Sequence, residues 1–482
     1  MRKVFLVLTL LFINFISAQE KLLEISNDLK VGSRKVHTAF TVIDEETGNF
    51  ALFLDDDNKM YGFLFSPSLK LINRFASEGL PKKYNQIIGY SILDKKIRLF
   101  LKDKNDKTFG SVLFDFEQGI TQETLYDFKL KQEFFVEGYS NASKFHLITI
   151  PKDSNLFHDY IFEEGKELVK ETIDLSNQSF LDDQGTPKSL NTIMATGGNV
   201  QTIGSQYRFQ VDKIDSEAPN SVESTSNIVK MYPGKSGFKL SIDTQRRTYI
   251  IDISTQALQA LVSSIEKPYL PAAVVNSNSF ILENKIYMIS ATSDDMGFSV
   301  KTLDSGEELK NIIITKDDEI TFSNTPIIQE GGMYSSYREM EKTSKFLRRL
   351  GKEDIGVAVS KHKGNYVVTM GSKKEISRGG APMMMPGVGF PMASAGAFAV
   401  TFNPTFFAYG SYSSTKATRI ECLFDENLNH KEGEIPKNSF DRIKEAADKF
   451  PSTDAETVFR LDDFYIWGFY NKKLDKYMMY KF

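Results

Sequence analysis

The chain has 482 residues, 41% hydrophobic and 12% aromatic, with 59 Lys plus Arg against 63 Asp plus Glu and a formal net charge of −4. That is ample apolar material for a globular core, while the slightly acidic balance gives no basic-patch signal and argues against a nucleic-acid partner. The single cysteine, Cys422, excludes an intramolecular disulfide framework.

The first 18 residues read as a secretory signal. Arg2 and Lys3 form a basic start, Val4–Ile16 an apolar run broken only by Thr9 and Asn14, and Ile16-Ser17-Ala18 a small-residue cleavage site before Gln19. The run is too short to span a bilayer, and no later stretch reaches the ~18 apolar residues a membrane helix needs. No cysteine lies near the cleavage site, which argues against an N-terminal lipid. The expected location is therefore exported: periplasmic, cell-surface associated or secreted.

From residue 36 onward the chain repeats in pattern. VHTAFTVID, NFALFLDD, KMYGFLFS and LKLINRF fill 36–75; QIIGYSILD, KIRLFLKD, TFGSVLFDF and QETLYDF fill 86–128; EFFVEGYS, KFHLITI, FHDYIFEEG and ELVKETIDL fill 133–175. The scheme returns near Ser226 and Ala272. β-Branched and aromatic runs between Gly, Asp, Asn and Pro turns are strand signals. Four strands in each period of about 40–50 residues are the signature of a β-propeller. Phe50, Leu52 and Leu54 face one way and Phe53 the other; Trp467 and Phe469 likewise oppose Ile466 and Tyr470. A strand apolar on both faces must be covered on both, as stacked blades are.

The predicted architecture is an all-β propeller of four-stranded blades filling 19–482 as one domain. The last unit, 456–482, has only three strands, and Lys21–Ser26 can supply the fourth, leaving no open edge. That makes seven blades, with six or eight as alternatives because 176–224 and 373–415 are ambiguous.

Three insertions, 176–224, 316–353 and 373–415, interrupt the pattern. Their positions between strands place all three on one face. A helix is expected over 333–351, with Ser336 and Glu339 as a capping box, Tyr337, Met340, Leu347 and Leu350 as an apolar stripe, Arg348 and Arg349 complementing the helix dipole, and Gly351 ending it. A second helix is expected over 439–450, capped by Asn438 or Ser439 and closed by Pro451. The segment 379–400, GGAPMMMPGVGFPMASAGAFAV, is uncharged and rich in Met, Pro and Gly. Such a loop either caps exposed core or offers adaptable contacts to a partner, and Met383, Met384, Met385, Phe390 and Met392 are the candidate binding residues.

Catalytic signals are missing. There is no G-x-S-x-G elbow, and the five histidines (37, 146, 158, 362 and 430) lack metal-ligand spacing. His146 and His158 fall in strands of one unit and could approach each other. Asp55-Asp56-Asp57-Asn58 and Asp103-Lys104-Asn105-Asp106 resemble fragments of calcium loops but read as turns. Cys422 shares a strand face with Ile420 and Phe424 and reads as a core residue. No catalytic residue, metal or cofactor is expected. The expected function is that of a non-catalytic binding or scaffold protein whose partner is another envelope or extracellular protein. The alternative is a carbohydrate-active hydrolase using an acidic pair in the propeller funnel.

Overall fold

The computed structural model describes residues 20–26, 28–29, 35–196, 200–203, 206–330, 337–373, 399–413 and 417–482. Among the described residues nearly all regular structure is β: two two-stranded hairpins and seven larger sheets, each built on four antiparallel strands in sequence or near-sequence order. Sheet 1 is Thr38–Ile43, Phe50–Asp55, Lys59–Phe65 and Leu71–Glu78; sheet 2 is Gln86–Leu93, Lys96–Lys102, Phe109–Asp115 and Ile120–Tyr126. Sheet 3 is Glu133–Asn141, Lys144–Pro151, Leu156–Glu163 and Val169–Asp174; sheet 4 is Val229–Pro233, Gly237–Asp243, Arg247–Ser254 and Gln259–Glu266. Sheet 5 is Asn276–Leu282, Lys285–Ala291, Asp295–Thr302 and Glu308–Thr315. Such meanders are propeller blades, and the chain has the fold class of a β-propeller.

Sheets 6 and 7 borrow a strand. Sheet 7 joins Asp454–Leu461, Phe464–Asn471 and Lys476–Lys481 to the N-terminal Glu20–Ser26, which runs antiparallel to the last strand with Glu20 opposite Lys481. Sheet 6 combines Asp354–His362, Asn365–Lys373 and Ala417–Phe424 with Ile327–Gln329, a strand from upstream of the other three. Arg338–Met340 then pairs on its outer side. The insertion 316–353 is thus partly a blade component, which the strand count from sequence did not foresee.

Packing divides the chain into two compact units. Residues 1–79 and 437–482 carry sheets 1 and 7, and 80–436 carry sheets 2 to 6. In the first unit Phe50, Leu52, Leu54, Phe63, Ile466 and Met479 are fully buried in one core. In the second unit the largest core runs through Tyr287, Met288, Val368, Ile420, Cys422 and Phe424. The strands grade from dry to wet. Phe109–Asp115 is buried along its whole length, whereas the fourth strands Ile120–Tyr126 and Gln259–Glu266 are mostly exposed. Fully exposed positions therefore concentrate on these outer strands.

Two-residue turns join the first and second strands of sheets 2, 3, 5, 6 and 7. Their first residues, Asp94, Ala142, Glu283, Lys363 and Asp462, all have positive φ, between 48° and 55°. Only one of these turns contains glycine, Gly364. The strain of left-handed backbone at ordinary residues is carried by the strand pairing on either side.

Among the described residues five helices stand outside the sheets: α1 (Leu190–Met194), α2 (Val222–Thr225), α3 (Thr343–Leu350), α4 (Pro404–Ser413) and α5 (Ser439–Ala447). Helix α5 begins as expected, with Asn438 Oδ1 accepting from the Phe440 and Asp441 amides and Asp441 Oδ2 accepting from the Asn438 amide. Helix α3 differs from expectation. Glu339 and Met340 lie in a strand, and the helix starts only at Thr343, behind Lys342, whose side chain makes no cap hydrogen bond. Pairing with Ile327–Gln329 captured residues that helical periodicity alone had assigned to the first turn.

Candidate functional site

The long insertions emerge from one side of sheets 2 to 6. In 176–224, the amide of Leu190 at the start of α1 donates to Asn155 Oδ1 at 2.7 Å, in the turn between the second and third strands of sheet 3. Its later part, Val211–Lys213, adds a parallel strand to Val229–Pro233, the first strand of sheet 4. The end of 373–415 behaves alike: Ala399–Val400 pairs in parallel with Gln86 and Ile87, in the first strand of sheet 2. The two insertions meet where Thr405 Oγ1 donates to Asp215 Oδ2 at 2.7 Å. Helix α2 lies so close to the first strand of sheet 6 that a Cβ on Gly356 would sit 2.8 Å from the Val222 carbonyl oxygen. The third insertion reaches the same side of sheet 5, where Asn276 Nδ2 donates to the carbonyls of Leu350 at 2.9 Å and Glu353 at 3.1 Å. Asn276 pairs with Ala291, so this is the end bearing the turn between the second and third strands.

Around α3 these connections form a groove. Phe346, Leu347 and Leu350 are buried in the core of the second unit and anchor the helix. The opposite stripe, Lys345, Arg348, Arg349 and Lys352, faces a cavity of about 660 Å³. Gln329, Arg338 and Met340 line the strand side of this cavity. Gln329 and Arg338 are register partners, and Met340 shares Arg338's face two residues on. Five cations thus line the cavity against two carboxylates, Glu353 and Asp354.

One carboxylate is already committed. Glu353 Oε1 accepts from Arg349 Nη1 at 2.7 Å, and its Oε2 from Ser372 Oγ at 2.9 Å. Arg338, Lys345, Arg348 and Lys352 are exposed and form no ion pair among the described residues. Four unpaired cations around one cavity, with Asp354 the single uncommitted carboxylate among its lining, make a site for a multiply charged anion. The sequence did contain the signal: Lys342, Lys345, Arg348, Arg349 and Lys352 recur at helical spacing. It was absorbed by the helix dipole, which explains the last turn but not Arg338 across the groove.

The residues singled out from sequence fare differently. Met383, Met384, Met385, Phe390 and Met392 lie outside the described residues. His146 and His158 do not converge. Thr149 stands opposite His158, and His146 is three residues from Thr149, so the two rings take opposite sheet faces. His146 Nδ1 lies 2.8 Å from buried Asp159, and His158 Nδ1 lies 3.1 Å from Glu133. Asp56 Oδ1 accepts from the amides of Asn58 and Lys59, and Asp103 Oδ1 from those of Lys107 and Thr108. Both acidic runs are thus doing turn work. Cys422 is fully buried, and desolvation drives its thiol far above the ordinary range.

Two further polar clusters resemble active sites by residue type. At the start of sheet 3, Glu133 accepts from Lys170 Nζ (2.7 Å), Thr149 Oγ1 (2.8 Å) and Tyr160 OH (3.1 Å). Burial pushes the Glu133 carboxyl up, but Lys170, His158 and Thr149 together pull it below its usual range. A carboxylate so held is a poor proton donor. In sheet 4, fully buried Asp243 binds Lys230 Nζ at 2.9 Å, Lys267 Nζ at 2.7 Å and Thr248 Oγ1 at 2.8 Å. Burial alone would raise Asp243; the two lysines hold it well below the carboxylate range. Neither Lys230 nor Asp243 reaches solvent. Among the described residues no His, Cys, Asp and Glu grouping is arranged to hold a metal ion, and no helix is long and apolar enough to cross a membrane.

No family model matches the chain, and no curated protein does. Among solved structures it is similar to the dihydro-heme d1 dehydrogenase NirN in complex with DHE (10% identity, TM-score 0.28), over 71% of this chain and 65% of that one, a little under two thirds of its length. It is similar to the Dos1 propeller at 10% identity and TM-score 0.27, over 86% of this chain and 97% of that one. A third likeness is to the β-propeller domain of the Trilobed protease from Pyrococcus furiosus, at 9% identity and TM-score 0.24, over 60% of this chain and 78% of that domain. At these scores the likenesses carry no argument about function, and the strand order alone defines the blades.

Proposed function

We propose that this chain is an exported, non-catalytic β-propeller, its seven sheets forming one domain, that binds another protein through the side bearing its long insertions. The observation that carries the reading is the meeting of these insertions around occupied strand edges. The first strands of sheets 2 and 4 are paired by insertion strands, and α2 packs on that of sheet 6. Three carboxylates in polar clusters are held by their neighbours: Asp243 by two lysines, Glu133 by Lys170, Thr149 and Tyr160, and Asp215 by Thr405. Long loops on a rigid scaffold are where binding concentrates. The leader-like residues 1–18 support export, and the Met-rich segment, with Met383, Met384, Met385, Phe390 and Met392, supports a partner contact.

Affinity capture from the envelope fraction, comparing the full chain with a variant lacking 379–396, tests this. Loss of one captured protein in the variant, with the β-sheet signal unchanged, is the expected result. Release of reducing sugar from acidic or neutral glycans by the purified chain would instead establish the hydrolase alternative.

A further inference from the structure

We propose that the groove between α3 and the Arg338–Met340 strand is a docking site for an acidic peptide segment, a reading that rests on the binding-protein function above and gives that protein's contact its chemistry. Charge complementarity points to the occupant. On a chain of net charge −4, Arg338, Lys345, Arg348 and Lys352 concentrate unpaired positive charge on a cavity of about 660 Å³, within the range that seats a short segment. Lys345 and Arg348 stand one turn of α3 apart, roughly 5 Å along the axis, and Lys352 follows just past the helix end at Leu350, so a ligand must carry successive charges rather than a single one.

The rest of the lining favours peptide over other polyanions. Gln329 presents an amide, which can both donate to and accept from a peptide backbone. Met340 offers an adaptable apolar contact beside it. Among the described residues lining the groove none is aromatic, so these residues offer no flat platform on which a sugar ring would stack. Arg338 and Arg348 provide planar forks suited to carboxylates. Asp354, which also lines the groove, would repel an acidic residue placed beside it, so the negative run must avoid that position.

The probe is a fluorescein-labelled oligoglutamate peptide, titrated with the purified full chain and read by fluorescence anisotropy. Binding should weaken steeply as salt rises. Lys345→Glu with Arg348→Glu should cost roughly tenfold or more in affinity, as expected when two contacts of a charged interface turn repulsive. Lys131→Glu, an exposed site in the link between sheets 2 and 3, should leave binding unchanged. Since Lys345 and Arg348 are exposed, thermal melting should not move. No peptide binding at low salt, or binding indifferent to the double reversal, overturns the proposal. So does oligogalacturonate that binds more tightly than the peptide and is lost in the same variant, because the occupant would then be an anionic glycan. Peptide binding with no partner captured would count against the function proposed above and not against the groove; a captured partner with no peptide binding would do the reverse.

Discussion

Sheet 4 and the groove beside helix α3 each gather cations and carboxylates, with opposite consequences. In sheet 4, Lys230, Lys267 and Asp243 are sealed from water and paired at 2.7 to 2.9 Å, with Thr248 Oγ1 and the Ser279 amide also donating to Asp243. At α3, Lys345, Arg348 and Lys352 stand in water with no ion pair among the described residues. A buried charge left alone costs several kcal/mol, so the first cluster must be complete. An exposed one costs almost nothing unpaired, so the second can wait for a ligand. Residue type alone does not separate structural charge from functional charge; completeness of pairing does.

The sharpest way to break that contrast is to open the buried cluster. Asp243→Ala leaves two lysine ammoniums sealed without their shared partner and should destabilise the second unit by about 3–5 kcal/mol, read by chemical denaturation. If it costs less than about 1 kcal/mol, water reaches the cluster and its structural role is wrong.

A smaller effect separates a third kind of charge, buried and unpaired. Asp55 is 1% exposed, and burial together with the charge of Asp57 raises its carboxyl to about 7. Its Oδ2 has no hydrogen-bond partner. Folding thus lifts this group above its unfolded value near 3.8. The folded state keeps the extra proton, so the stabilisation is complete below that lower value and is lost as pH rises through about 7. Asp55→Asn should therefore raise stability at pH 8 by on the order of 2–3 kcal/mol and flatten the decline between about pH 4 and 7. A variant that melts earlier than the parent at pH 8 would show that the ionised form is favoured where it sits.

Cys422 tests burial without charge. Its thiol should react with a maleimide at least tenfold more slowly in the native protein than in denaturant. Fast native labelling would place the Ile420, Cys422 and Phe424 face on the wrong side of its strand. The smallest stability effect belongs to the groove: Lys345→Glu with Arg348→Glu should shift stability by no more than about 0.5 kcal/mol. A larger loss would mean these side chains hold the fold after all.

The β units were legible because strand periodicity and turn residues are local. The pairing of Glu20–Ser26 with the last strand could be anticipated by counting three strands where four were due. Two things were not local. Ile327–Gln329 serves sheet 6 although it precedes that sheet's other strands, and nothing in its three residues names the partner. The groove was hidden by the net charge, which averages Arg338 and the α3 stripe against acidic residues on exposed strands and turns elsewhere. The histidines misled for a related reason: His146 and His158 share a sheet, but their faces are set by a register that only the strand pairing fixes.

The joining of Glu20–Ser26 to Lys476–Lys481 also carries a timetable. Glu24 forms an ion pair with Lys476, and Ile25 lies opposite Tyr477, so Glu20–Ser26 has no partner until Lys476, 452 positions beyond Glu24, and its neighbours have been made. Sheets 2 to 5 are built from contiguous stretches and can assemble as they emerge, whereas sheet 7 must wait for both ends. Until it closes, such a clasp leaves sheet 7 one strand short, so whatever binds the free Glu20–Ser26 strand would govern how quickly that sheet is completed. Removing Lys476–Lys481 would leave that strand permanently exposed as a template for pairing with other chains.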